Sequence, residues 1–577
     1  MRWAAALVAA GSLVLVAPVA AQTPGSVPAD PNALSSPPTL DQPPPGRVRS
    51  ANQVIAIAGR VPKVRATVRN HPGSHADAYL KGPGRWQVSY FARPGKGGAR
   101  GKEIAQVLID DRTGRVLEAW TGFQVAWSMA RGYPGAFARK VNALYVWLPM
   151  CVLFLAPFVS LRRPWRMIHL DLLVIVAGFS VSLAFFNAGR IGASVPLVYP
   201  VLIYLLARMA WLARRRETSR DNGRFPLTVP VTWLLVGLVF LVGFRVGLNL
   251  TNSNVIDVGY SGVIGADRLT QGEDLYGSFP ADNEHGNTYG PVAYYAYVPF
   301  EQVFPWSGKW DDLPAAHGAA VAFDLLAIVG LWLLGLRLRG RRLAAVLAYA
   351  WAACPLTLLV ANSNANDTLV AVLLIGALLL AARPAGRGAM VALAGLAKFA
   401  PLGLGPLFAT HRARPEDPLR ARSVALYVLA FALVSALVMT PVVLGEGGLR
   451  TLYDSTLGFQ ESRGSPFSIW GIVGGFGAAQ AAVKIAAAVF ALAAAFLPRR
   501  RDVIGLAAMG AAVLIALQLG VTHWFYLYTV WFLPLVLVAL FGRWSEGAGG
   551  PESVIGEGAG GSDFVIGEGT GDPLPAR

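Results

Sequence analysis

Long apolar stretches dominate the chain from about residue 143 onwards. A helix that crosses a bilayer needs about 20 mainly apolar residues. Eleven stretches approach or reach this length: 143–161, 168–186, 195–213, 227–248, 316–336, 343–361, 368–382, 424–444, 478–497, 503–522 and 524–541. The pattern predicts a polytopic all-α membrane protein with about 11 transmembrane helices.

Basic clusters follow every second stretch. RRPWR follows the first, RRRETSRDNGR the third, RLRGRR the fifth, RPAGR the seventh and PRRR the ninth. Because Lys and Arg accumulate in cytoplasmic loops, these clusters predict the orientation of the chain. We expect a multi-pass protein of the plasma (cell) membrane, with the loop 249–315 outside and the C-terminal tail in the cytoplasm.

One apolar segment, MVALAGLAKFAPLGLGPLFAT at 390–410, fits two interpretations. A single crossing would place the basic HRARPEDPLRAR outside. A re-entrant hairpin that bends at Lys398 to Pro401 would keep it inside, and broken helices at membrane depth line cavities. The charge pattern favours the re-entrant segment.

The first part of the chain has a different pattern. Residues 1–22 have an early Arg, an apolar centre and small residues near the end, typical of a signal peptide or an uncleaved signal anchor. The Pro-rich residues 23–50 predict a linker. Residues 51–140 predict a small α+β extracytoplasmic N-terminal domain, because ANQVIAIAGRVPKV has a helical pattern, whereas WQVSYFA and IAQVLID alternate as strands.

This N-terminal domain also suggests a resemblance and a kind of neighbour. A strand, the acidic turn DDRTG and the second strand RVLEAW resemble PepSY-like modules found outside bacterial membranes. The domain is rich in Lys and Arg, which indicates anionic neighbours or a solvated basic face. Since the signal segment routes it outside the cell, no nucleic acid is expected as a partner.

Composition supports the membrane assignment. The 577 residues are 54% hydrophobic and 14% charged, with a mean hydropathy of +0.48, whereas soluble domains are about 25% charged. Both cysteines, Cys151 and Cys354, lie in apolar stretches, so the sequence indicates no disulfide framework. We also expect no metal site, because Glu284 and the adjacent His285 point apart. The rest of the chain divides into a three-helix membrane segment, a multi-spanning core and a Gly-rich disordered tail: 141–226, 227–543 and 544–577.

The loop 249–315 carries the candidate chemistry. It has nine carboxylates against two basic residues, and Asp257 is the first acid after the preceding apolar stretch. Partial desolvation there would raise its pKa and make it a usable proton acceptor. Lys398 in the broken segment is costly at membrane depth unless it has a partner or a cavity, or snorkels to the surface.

Several of these motifs resemble one enzyme family. Asp257 followed by Tyr260, LTQGEDLYG and YGPVAYYAYVPF resemble the first outer loop of C-type (GT-C) glycosyltransferases, above all the family 87 polyprenyl-phosphate-mannose-dependent mannosyltransferases. NSNANDTLVAVLL and ALAGLAKFAPLGLGPL lie where that family has a polar turn and Gly-rich half-helices. The resemblance implies transfer of a sugar, mannose in that family, from a polyprenyl phosphate to an envelope glycan or glycolipid acceptor, with no cofactor.

The sequence therefore predicts a set of site residues. Asp257 is the expected general base, and Lys398 the cation that binds the phosphate. The resemblance implies Tyr260, Tyr276 and Tyr289 as further substrate-binding residues, and polar residues near the predicted outer ends of spans complete the set: Asn362, Asn366, Asp367, Arg463 and His523. Alternatively, the residues at 362–367 cap a helix, and the nearby Tyr294, Tyr295 and Tyr297 form only an interfacial belt. Arg245 could pair with a headgroup or with Asp367.

Two functions of other classes fit the same pattern. Polar residues at membrane depth and a re-entrant segment also suit a transporter or flippase of lipid-linked saccharides. A noncatalytic envelope scaffold, anchored by its spans and binding a partner through the N-terminal domain, is the third hypothesis. The oligomeric state is not encoded in any pattern that we identify.

Overall fold

The computed structural model describes residues 34–93, 101–132, 138–215, 227–277, 279–412 and 418–544. The chain divides into two compact units, Met1–Arg131 and Gly132–Arg577. The predicted signal segment 1–22 and nearly all of the predicted tail lie outside the described residues.

The first unit contains an antiparallel sheet of five strands in sequential order. Its elements are β1 Leu34–Ser35, α1 Ala51–Gly59, α2 Pro62–Arg69, β2 His75–Lys81, β3 Arg85–Phe91, β4 Glu103–Asp110, β5 Val116–Thr121 and α3 Phe123–Ala126. Ser50 and Gln53 form a capping box that starts α1. Pro62 begins α2, where its missing N–H costs nothing.

The core of this unit lies between the helices and one face of the sheet. Val54 and Val64 of the helices belong to one buried cluster with Trp86, Val88 and Val107 of the strands. Burial of such side chains is worth about 1.5–3 kcal/mol each. The unit therefore has a hydrophobic core of its own.

The sequence predicted β3, β4 and the hairpin that joins β4 to β5. Gly114 adopts the positive φ of 70° that this turn requires. The predicted helix is divided into α1 and α2 at Arg60 and Val61. β2 was not predicted, because HADAYLK lacks a clear apolar alternation.

Residues 34–50 fell within the predicted linker but pack against the first unit. β1 pairs with β2, and Asp111 accepts hydrogen bonds from the backbone N–H groups of Val48 (2.8 Å) and Arg49 (3.1 Å). Trp86 Nε1 donates to the same carboxylate at 2.9 Å. The buried acid therefore fixes this part of the chain, a long-range contact that composition does not reveal.

The second unit is helical. Its helices are α4 Leu144–Leu155, α5 Met167–Leu173, α6 Phe179–Asn187, α7 Ile191–Arg214, α8 Val231–Thr251, α9 Asp257–Gln271, α10 Val292–Tyr295, α11 Val298–Val303, α12 Pro314–Ala353, α13 Pro355–Asn362, α14 Asp367–Leu379, α15 Pro384–Ala397, α16 Gly405–Ala409, α17 Ala421–Leu444, α18 Gly448–Tyr453, α19 Phe459–Ser462, α20 Ile469–Ile472, α21 Gly477–Ala493, α22 Val503–Leu519 and α23 Thr529–Phe541. A π-helical turn, Val174–Gly178, joins α5 to α6.

Five of these described helices are long and apolar enough to cross a membrane. They are Met167–Asn187 (α5 and α6 together), Ile191–Arg214, Val231–Thr251, Pro314–Ala353 and Ala421–Leu444. The predicted count of about 11 crossings is not confirmed, because other predicted stretches form shorter apolar helices of 10–17 residues. α12 covers one predicted stretch and the start of the next, with non-helical backbone at Arg339 and Gly340.

Buried ion pairs connect the helices of this unit. Arg245 Nη2 of α8 lies 2.6 Å from Asp324 Oδ1 of α12. Arg208 of α7 pairs with Asp171 of α5 at 2.8 Å. A buried charge with a partner avoids much of the desolvation cost that an isolated one would incur. Arg245 therefore pairs with Asp324 of the neighbouring helix, and the predicted pairing with Asp367 is wrong.

The segment 390–410 reverses direction at the predicted bend. α15 ends at Ala397, Lys398 has extended backbone, and the chain returns through a short 3₁₀ turn into α16. Arg387, near the start of α15, donates to the carbonyls of Phe408 (2.8 Å) and His411 (2.7 Å) beyond the other arm. The two arms are therefore antiparallel, and Lys398 lies at the tip of the hairpin.

Candidate active site

The centre of the candidate site is a buried ion pair between two helix ends. Lys398 Nζ, at the hairpin tip, lies 3.6 Å from Oδ1 of Asp367, the first residue of α14. Trp531 of α23 donates from Nε1 to the same oxygen at 2.9 Å. Asp367 and Lys398 are only 0% and 7% exposed. Two of the predicted substrate-binding residues therefore form a pair enclosed by protein.

Tyr289 covers this pair. Lys398 Nζ lies 3.8 Å from the centre of the Tyr289 ring, a cation–π contact. Tyr276 holds the backbone of Tyr289 in place, since the Tyr276 hydroxyl donates to the Tyr289 carbonyl at 2.7 Å. Gly290 then lies against the backbone of Leu396, where a side chain would collide. The missing Cβ is what lets this loop approach the hairpin tip.

The same end of the bundle holds Asp257, the first residue of α9. The chain before α9 is anchored to the turn after α13, because Asn254 N–H donates to the Asn362 carbonyl (3.3 Å) and Ile256 N–H to the Ser363 carbonyl (3.2 Å). Gly259 packs against the Asn364 carbonyl, where a Cβ would not fit. These contacts fix the start of α9 beside the start of α14.

Asp257 lies in the electrostatic field of this cluster. Desolvation raises the pKa of its carboxyl, and the Asp367 carboxylate acts in the same direction. The Val258 N–H, Arg463 and Lys398 oppose the shift. The side chain nevertheless keeps substantial accessible surface. A carboxyl with a raised pKa that remains accessible can accept a proton.

A cavity of about 390 Å³ opens beside the ion pair. Its lining combines cationic, aromatic and aliphatic side chains: Thr288, Tyr289, Lys398, Phe399, Ala400, Leu457, Gln460, Glu461, Lys484, Val521, Thr522, His523, Tyr528 and Trp531. An amphipathic ligand with an anionic group would match this lining.

His523 enters the wall of this cavity as a neutral ring. Burial lowers its pKa well below the usual value, and Arg463 and Lys398 lower it further. Its Nδ1 lies 2.9 Å from the Ser465 hydroxyl. A neutral imidazole can donate one hydrogen bond and accept another. The predicted residue therefore lies in the cavity wall as a polar group without charge.

The other predicted residues occupy different positions. The Tyr260 hydroxyl donates to Asp282 (3.2 Å) and its ring stacks on Trp310, so it packs within the segment 249–315. Asn362 and Asn366 are buried near Asp367 in the turn before α14, and both amide atoms of Asn366 have no hydrogen-bond partner among the described residues. Arg463 lies near enough to influence Asp257 and His523.

Lys484, Tyr528 and Trp531 are among the cavity residues that the sequence did not predict. Lys484 is in the middle of the apolar helix α21. An ionisable residue inside an apolar stretch is a signal of a functional site, so the sequence did contain an indication of Lys484. Tyr528 and Trp531 had no comparable signal, because aromatic residues at span ends commonly form an interfacial belt. Their proximity to Asp367 is a property of the packed helices.

Within the part of the chain that the structure describes, no three His, Cys, Asp or Glu side chains group in a way that could hold a metal ion. No protein-family model matches this chain, and no curated protein matches it.

Proposed function

We propose that this protein is an integral-membrane glycosyltransferase. It would move a sugar from a polyprenyl-phosphate donor to a hydroxyl of an envelope glycan or lipid. The observation that carries the proposal is the joint placement of Asp257 and the Asp367–Lys398 pair at one end of the bundle, next to a partly apolar cavity. An acid-base group and an anion-binding group are the two elements that this reaction needs.

In the proposed reaction, Asp257 takes the proton of the acceptor hydroxyl. The hydroxyl oxygen forms a bond to the anomeric carbon of the donor sugar, and the bond from that carbon to the phosphate oxygen breaks. The phosphate leaves with the electron pair, so its charge rises as the bond breaks. Cations that face this oxygen, Lys398 among them, would stabilise the leaving group.

Two polar groups support recognition of the sugar. Asn366 has an amide without a partner, and Oδ2 of Asp367 is also unpaired among the described residues. A buried polar group without a partner costs about 1–3 kcal/mol. Hydrogen bonds to sugar hydroxyls would offset this cost. The unpaired groups would therefore favour binding of a sugar.

The membrane arrangement of the site is part of the proposal. The shorter helices would complete about 11 crossings, with the α15–α16 hairpin as a re-entrant segment, and the site would lie at the outer face of the cell membrane. The basic clusters that follow alternate apolar stretches support this orientation. The prenyl chain of the donor would then remain in lipid while its phosphate enters the cavity.

The test is transfer of radiolabelled sugar from a polyprenyl phosphate in membranes that contain the full-length protein. Asp257→Asn should lose transfer by about 10²-fold or more, because the general base is removed. Asp267→Asn is the matched control, since Asp267 lies on the same helix and its side chain accepts a hydrogen bond from Gln271. Equal transfer by wild type and Asp257→Asn would reject the catalytic assignment.

A carrier of lipid-linked saccharides is the second candidate. The broken hairpin α15–α16 with a charged tip favours it, because transporters use discontinuous helices at their binding sites. Movement of a labelled lipid-linked saccharide across sealed vesicles, without any covalent transfer, would support the carrier and reject the transferase.

A further inference from the structure

We infer that Lys484 forms an anion subsite in this cavity and receives the phosphate of an isoprenyl phosphate. The inference rests on the proposed function, whose phosphate it locates. The sequence predicted Lys398 as the phosphate-binding cation. The geometry divides this task differently between the two lysines.

The positive charge of Lys398 is already balanced by neighbouring groups. Its ammonium lies 3.6 Å from Asp367 and contacts the face of Tyr289. A further anion at Lys398 would also face the negative charge of Asp367. Lys398 alone is therefore a weaker attractor for a phosphate than its burial suggests.

Lys484 is not compensated in this way. Among the described residues, no carboxylate lies within ion-pair distance of its ammonium, although Glu461 lines the same cavity. The side chain is exposed towards the cavity and comes from a helix with no acidic residue. Its charge is available to an incoming anion, and the partly apolar surroundings strengthen that attraction.

The protein holds Lys484 at this position. Gly520 lies against it, and a Cβ at 520 would come within 2.9 Å of Lys484 Cγ. One turn earlier on α21, Gln480 Nε2 donates to the Gly520 carbonyl (2.9 Å) and to Thr522 Oγ1 (3.0 Å). These contacts align the stem of Lys484 with the segment that carries His523.

The lining around Lys484 selects the class of ligand. Leu457, Phe399 and Val521 give the cavity apolar surface beside the two ammonium groups. An isoprenyl phosphate has the same combination of an anionic head and a branched apolar chain. Inorganic phosphate would engage the ammonium groups but none of the apolar surface, so it should bind more weakly.

The experiment measures binding separately from sugar transfer. Equilibrium binding of radiolabelled geranyl phosphate, geraniol and inorganic phosphate is compared on the full-length protein in detergent. Lys484→Met should weaken binding of geranyl phosphate about tenfold, the loss of one charge-assisted contact, and leave geraniol binding unchanged. Lys484→Arg should stay within about threefold of wild type, since it keeps the charge.

The control is Lys309→Met, which removes an exposed lysine of the outer loop and should not change binding. Equal binding of geranyl phosphate by wild type and Lys484→Met would overturn the inference, even if sugar transfer is observed. Inorganic phosphate that binds as tightly as geranyl phosphate would overturn the isoprenyl assignment. Loss of binding in Lys484→Met, in a protein whose wild type transfers no sugar, would support the subsite and reject the proposed function.

Discussion

The ammonium of Lys398 lies 3.6 Å from Oδ1 of Asp367, and both side chains are almost fully buried. The contact joins the start of α14 to the tip of the α15–α16 hairpin. It also balances the charge of each residue where water is largely excluded. The pair is therefore a structural element of the site as well as a candidate participant in its chemistry.

Replacing one partner of this pair should destabilise the protein more than replacing both partners together. Lys398→Met leaves Asp367 buried and charged, and Asp367→Asn leaves Lys398 in the same condition. Each change should cost about 3 kcal/mol, whereas the double variant should recover part of the loss, since neither charge remains. Thermal unfolding of the purified full-length protein measures all three.

Arg450→Met is the control for this cycle. Arg450 and Asp454 form an exposed pair at 3.9 Å, and exposed pairs are worth about 0–1 kcal/mol. Its unfolding temperature should stay close to that of wild type. Losses that simply add in the Lys398 and Asp367 double variant would contradict coupling between the two residues.

The pH dependence of transfer should report Asp257. Burial raises the pKa of its carboxyl, so the carboxylate needed as base is lost at a higher pH than for an ordinary Asp. The rate should decline as pH falls through this raised pKa. Arg463 lowers the pKa of Asp257, so Arg463→Met should move the acidic limb to still higher pH.

The measurement is the initial transfer rate at saturating donor as pH is lowered from about 8 towards the ordinary Asp pKa of about 3.9. Asp267→Asn should keep the wild-type profile. An acidic limb that does not move in Arg463→Met would show that another group controls it.

Local pattern predicted a large part of the fold. The apolar stretches from 143 to 541 overlap helices, and the strands β3 to β5 follow their alternation. The basic sequence HRARPEDPLRAR after the segment 390–410 predicted the bend, because a single crossing would have placed these charges outside. Helix lengths were predicted less well, since apolar composition does not determine where capping and tertiary contacts end a helix.

The site was predictable only in parts. Asp257 and Lys398 were singled out because charges next to or inside apolar stretches are costly. Asp367 was singled out as part of the polar turn before an apolar stretch. The pairing of Lys398 with Asp367 and of Arg245 with Asp324 depends on which helices are neighbours, which periodicity alone does not fix. Trp531 and Tyr528 enter the site for the same reason.

Gly290 offers a test of how closely the Tyr289 loop must approach the hairpin. A Cβ at 290 would collide with the Leu396 backbone, so Gly290→Ala should displace either the loop or the tip that carries Lys398. We expect a loss of stability of about 1–3 kcal/mol and reduced transfer. Gly277→Ala is the control, since its nearest neighbour lies at an ordinary 3.8 Å. Equal unfolding temperatures for the two variants would exclude a tight contact at 290.

His523 should make the stability of the protein depend on pH. Burial lowers its pKa in the folded state, and Arg463 and Lys398 act in the same direction. In the unfolded chain the ring takes up a proton near its ordinary value of about 6.5. Below that pH the unfolded state binds more protons than the folded state, so stability falls as pH falls towards the lowered pKa.

Wild type should therefore lose more thermal stability than His523→Gln between about pH 7 and pH 5, the window below the ordinary histidine pKa. The Gln side chain keeps a polar group beside the Ser465 hydroxyl but does not titrate. His71→Gln, on the exposed surface of the first unit, is the control and should behave as wild type. Parallel curves for wild type and His523→Gln would mean that the ring is not held neutral by its burial among these cations.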